Sequence, residues 1–171
     1  MKIVLIGVLL TASAFAQDPS TRVAPACGPQ DVSFNVKLDD SKHAIAQIDP
    51  GKAQAFFIQD KGVASFGIGG SVVSMVGIDG AWVGANKNDS YFSVPVEPGE
   101  HHVCTTTVQS SRWEQPMELA HFIAEPGKVY YFRERVVPTP YGMYLFLDSV
   151  DNDEAKYLIG AFPLSVSRPK K

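Results

Sequence analysis

The residues best equipped for chemistry stand at 101–104, where His101 and His102 precede Cys104. On a strand, side chains two apart share a face. His102 and Cys104 would therefore point the same way, and imidazole with thiolate is a donor set for copper or zinc. A blue-copper centre also needs a second His and a Met soon after the Cys. Here Thr105-Thr106-Thr107-Val108 follow, and Met117 and His121 lie too far along to match that spacing. The simpler reading is a strand start with partly exposed imidazoles, so no metal or other cofactor is assigned.

The other constellations thin out in the same way. Asp148, Asp151, Asp153 and Glu154 could form a calcium loop, but the central Gly and closing Glu of an EF-hand are missing. Helix capping accounts for them without a ligand. Gly67-Ile68-Gly69-Gly70 begins like a phosphate-binding fingerprint, yet Val72 holds the place of its last Gly. Ser71, Ser110 and Ser111 sit in no nucleophile elbow. No catalytic residue is assigned. Aromatic side chains keep one function open: Trp113, Trp82 and Tyr141 near strand ends could meet a glycan or a partner protein. Core and edge packing is the competing reading. Asn88-Asp89-Ser90 matches a glycosylation sequon and also reads as an Asn/Asp turn.

These residues need a scaffold, and the N-terminus says where it works. Lys2, the apolar run Ile3–Leu10 and Ala14-Phe15-Ala16 form the charged, apolar and small-residue regions of a secretory signal peptide over 1–16. The run is too short to cross a bilayer, and no later segment comes close. The expectation is an exported protein, periplasmic or extracellular, with no transmembrane segment after cleavage. Removing residues 1–16 from the 171 leaves 155 with 14 Lys and Arg against 18 Asp and Glu, a net charge of −4. That length suits one domain. The balance lacks the basic clustering a nucleic-acid partner requires.

Two cysteines remain, Cys27 and Cys104. An even count in an oxidising compartment favours a bridge. Free or catalytic thiols compete, but there is no Cys-x-x-Cys to support them. A disulfide would tie the N-terminal segment 17–30 to a central strand, and it would remove the thiolate from the metal reading above.

The rest of the chain is punctuated for β structure. Asp49-Pro50-Gly51-Lys52, Glu97-Pro98-Gly99-Glu100 and Glu125-Pro126-Gly127-Lys128 share a type II turn formula. Asp79-Gly80 predicts a two-residue hairpin. Between the turns lie short runs rich in Val, Tyr, Phe and Thr, at 32–36, 53–59, 72–78, 81–85, 91–96, 101–108, 117–124, 129–137 and 143–150. In the run at 129–137, Tyr130, Phe132 and Val136 share one face, while Tyr131, Arg133 and Arg135 share the other. Asp151 opens a helix through Ile159, with Gly160 as its stop. The sequence therefore predicts an all-β, antiparallel β-sandwich of the Ig-like or transthyretin-like kind over 31–167. One short C-terminal helix accompanies it, and a basic tail follows at 168–171.

Several segments are also familiar as a set. They are Ala26-Cys27-Gly28-Pro29 leading into Val32-Ser33-Phe34, then Gly77–Asn86, Val96–Cys104, Ala124–Phe132 and Pro163–Ser167. Together they resemble a family of exported bacterial proteins carrying the domain of unknown function twenty-eight forty-six. The resemblance implies a secreted β-sandwich and supplies no activity and no functional residues. The expectation is a non-catalytic envelope protein that binds another envelope protein or a glycan. A structural accessory without a small ligand is the first rival, and a hydrolase assembled only in three dimensions is the second.

Overall fold

The computed structural model describes residues 27–29, 31–41, 49–61, 71–108, 117–139 and 142–170. The expected signal peptide, Trp113, Tyr141 and the Gly67–Gly70 loop lie outside them. The strands are β1 (Phe34–Asp39), β2 (Ala53–Asp60), β3 (Val73–Ile78), β4 (Ala81–Lys87), β5 (Ser90–Val96), β6 (Gly99–Val108), β7 (Met117–Ala124), β8 (Val129–Thr139) and β9 (Gly142–Ser149). Helix α1 (Asn152–Ala161) and strand β10 (Leu164–Pro169) complete the order.

The strands form two sheets, β1-β10-β5-β2-β8-β9 and β4-β3-β6-β7. Period-two alternation turns Phe57, Phe92 and Phe132 of the first toward Val76, Ile78 and Val103 of the second, and these make the main core. The all-β sandwich is as expected. Most strand pairs are antiparallel, while β2 runs parallel to β8 and β10 parallel to β5.

Turn chemistry explains where the strands stop. Asp79 (φ 50°) and Gly80 (φ 82°) make the β3–β4 hairpin, as the Asp-Gly pair requires. Gly127 takes the positive φ (74°) of a type II turn, with Lys128 N donating to Glu125 O at 3.1 Å. The first Pro-Gly turn differs from the expectation. Gly51 does not take a positive φ; its N–H instead donates to the Asp49 carboxylate at 3.0 Å, a side-chain turn that Asp readily forms.

Asp151 caps α1 by accepting from Asp153 N and Glu154 N at 2.9 and 2.8 Å. The helix then runs through Gly160 rather than stopping there, and ends at Phe162, whose N–H donates to Leu158 O. Its Ala155 and Leu158 bury against Phe56, Ile58 and Tyr91 on the outer face of the larger sheet. The basic tail also needs correcting. Arg168 and Pro169 belong to β10 and pair with Asn35 and Phe34 of β1.

Candidate functional site

Cys27 and Cys104 form the expected disulfide, their Cα atoms 5.0 Å apart. Cys104 lies on the outer face of the smaller sheet, because Val103 and Thr105 point inward to the core. Trp82 packs on the bridge and donates from Nε1 to Pro29 O at 2.8 Å. It is half-buried, and Gly28 lies so close that a Cβ there would overlap the indole. The structure therefore gives Trp82 a packing partner on the N-terminal segment. Trp113 and Tyr141, the other aromatics singled out, lie outside the described residues.

The remaining sequence candidates are engaged in local structure. His101 Nδ1 lies 2.6 Å from Asp79 Oδ2 and its Nε2 lies 2.7 Å from Glu97 O, which ties two turns together. Burial lowers the His101 pKa, but hydrogen bonds to the Glu97 carbonyl and the Asp79 carboxylate outweigh it and hold the pKa raised. Asp148 pairs with Arg135, and Glu154 with Arg133, which also pairs with Asp60. With Asp151 acting as the cap, the acidic group is absorbed into ion pairs and a helix end. Asn88 (φ 59°) sits at a turn, and its side-chain oxygen accepts from Val72 N at 3.0 Å.

Two features were not anticipated. The first is inside. Gln59, Ser90 and Glu134 from one sheet face Ser74, Asn86, Thr105 and Thr107 from the other, and all seven are 0% exposed. The smaller sheet aims one donor from each of three strands at Glu134. Ser74 Oγ reaches Oε2 at 3.0 Å, Asn86 Nδ2 reaches Oε2 at 2.9 Å, and the Thr105 hydroxyl donates to Oε1. Burial raises the Glu134 pKa against the opposing pull of these bonds. The sequence held a signal for this. Glu134 falls on the inward parity between Phe132 and Val136, where only an apolar side chain or a partnered polar one can sit.

The second feature is a groove of about 400 Å³ at the β7/β9 edge of the sandwich. Phe122, Tyr130 and Phe132 line it with apolar surface, and Ser149 and Asn152 bring polar groups. Phe122 packs at a tilt against Tyr130 and edge-on against Phe132, with ring centres 4.9 and 5.2 Å apart. A hollow of this size with mixed polar and apolar walls suits an inserted side chain.

Exposed apolar side chains mark the same edge on its two outer faces. Nine large hydrophobic residues are exposed among the described ones, and six of them belong to β7, β8 and β9. Met117, Leu119 and Ile123 project from β7, Tyr144 and Phe146 from β9, and Val137 stands opposite Tyr144 on β8. The Arg135 guanidinium lies over the Phe146 ring, 5.1 Å from its centre. Comparison with family models, curated proteins and solved structures returns no match.

Proposed function

We propose that this chain is an exported, non-catalytic interaction module that docks an extended segment of an envelope protein along β7 and the adjoining groove. The three exposed apolar side chains of the β7 edge, Met117, Leu119 and Ile123, carry the reading. Edge strands are ordinarily blunted by Lys, Pro, bulges or short length. β7 has none of these. It is 8 residues long, its register against β6 is unbroken, and Glu118 is its one charged residue. A partner strand would gain main-chain hydrogen bonds from the edge and side-chain burial against Leu119 and Ile123.

The N-terminal signal pattern and the disulfide support export.

Photo-crosslinking in the producing cell's envelope tests the proposal. A crosslinking residue at Ile123 should yield a discrete protein adduct that one at Tyr157, on α1, does not. Leu119→Lys should abolish it. Equal labelling from both positions, or none, would sink the proposal. Retention on envelope polysaccharide that is lost in Tyr144→Ala, without a protein adduct, would replace the protein partner with a glycan.

A further inference from the structure

The geometry points to a divalent transition-metal site on the outer face of the smaller sheet, chelated by His102 and His121. This rests on a different observation from the docking surface. Register pairs His102 of β6 directly with His121 of β7. Both residues are exposed, and their ring centres stand 6.5 Å apart with the planes inclined by 32°. The backbone N–H of His102 donates to Asp79 Oδ1 at 2.8 Å, which fixes the strand and leaves the imidazole to face its neighbour.

Directly opposed residues of an antiparallel pair hold their Cβ atoms within about 5.5 Å, close enough for two imidazoles to reach one ion. Metal–nitrogen bonds run about 2.0–2.1 Å. Ring centres 6.5 Å apart leave room for two such bonds. Rotation of these exposed rings closes the angle between the bonds toward the one an ion prefers.

No third His, Cys, Asp or Glu joins the pair among the described residues, so water completes the coordination. Imidazole suits zinc, copper and nickel, and the general affinity order places copper(II) highest. Cys104, the soft ligand nearby, is bonded to Cys27 and takes no part. The bound ion would staple β6 to β7.

The test is titration of the disulfide-bonded protein with copper(II), followed by electron paramagnetic resonance and calorimetry. One ion should bind with two nitrogen donors. His102→Gln and His121→Gln should each weaken binding at least tenfold, while His101→Gln, whose ring is held by Asp79 and Glu97, leaves it unchanged. Substoichiometric copper(II) should broaden the ring protons of His102 and His121 first in the NMR spectrum, a readout that needs no variant. An affinity insensitive to both substitutions, or broadening centred on another residue, would overturn the site.

Discussion

Asn86 and Glu134 join the two sheets: the Asn86 amide nitrogen, on β4, lies 2.9 Å from Glu134 Oε2 on β8 and 3.0 Å from Phe57 O on β2. One side-chain amide thus uses both of its protons across the sandwich. With Ser74 and Thr105 it surrounds a carboxyl group that has no solvent contact. Gln59, Ser90, Asn86 and the hydroxyls around it carry no charge, so Glu134 is the one titratable side chain in this layer of the described structure.

Glu134 should make stability fall as pH rises. Its pKa is raised in the folded protein, whereas an unfolded glutamate ionises near pH 4.3. Below that pH both states are protonated and the penalty is absent. Above it, the unfolded chain loses its proton first, and folded stability declines until the folded-state pKa is passed. Glu134→Gln removes this component. Denaturant unfolding from pH 4 to pH 9 should show the difference between wild type and variant widening in favour of Gln. A pH-independent difference would contradict it.

Replacing the same residue by an apolar one should be much worse. Glu134→Leu fits by size but leaves Ser74, Asn86 and Thr105 without their acceptor. A buried, unpaired polar group costs about 1–3 kcal/mol, so the loss should reach about 3 kcal/mol or more. Chemical denaturation at pH 5, compared with Glu134→Gln at the same pH, separates lost hydrogen bonding from the effect of charge.

The contrast between Phe132 and Glu134 shows what the sequence could carry. Turn formulas and alternation locate β2 to β9, because both are local properties of the chain. The buried polar layer is local only in parity. That Glu134 points inward follows from Phe132 and Val136, but that Ser74, Asn86 and Thr105 await it depends on how three distant strands stack. The parallel pairing of β2 with β8 is non-local in the same sense, since alternation says which face a residue takes and not which strand lies beside it. β10 is hidden for another reason: Ser165, Ser167, Arg168 and Pro169 are poor strand formers, and pairing with β1 overrides that preference. The β7 edge was legible as a strand, whereas its position at the end of a sheet was not.

Gly84 and Phe92 offer a test of core packing. A Cβ placed on Gly84 would fall 2.5 Å from Phe92 Cε2, and Phe92 is itself held against Phe57 with ring centres 5.4 Å apart. The ring has little room to retreat, so Gly84→Ala should destabilise by about 1–3 kcal/mol through overpacking. Phe92→Leu alone should also destabilise. The double variant should recover part of the Gly84→Ala loss, giving a favourable coupling energy in a double-mutant cycle. Strict additivity of the two losses would show that the ring is not what obstructs the Cβ.

The Cys27–Cys104 bridge should be the strongest constraint on the N-terminal segment. It closes a separation of 77 residues, and chain entropy alone makes such a loop worth about 4 kcal/mol. Its location adds to this. Cys27 Sγ lies 3.7 Å from Met117 Sδ, and the Trp82 indole covers the bridge while bonding Pro29. Opening the bridge therefore frees the segment and uncovers the indole together. Thiol titration of denatured, unreduced protein should find no free thiol. The Cys27→Ser, Cys104→Ser double variant should lose about 4 kcal/mol on unfolding, and its Trp82 fluorescence should shift to the red as the ring meets water. A stable double variant with unshifted Trp82 emission would mean that packing of Trp82 against Gly28 and Pro29, rather than the covalent link, holds the segment in place.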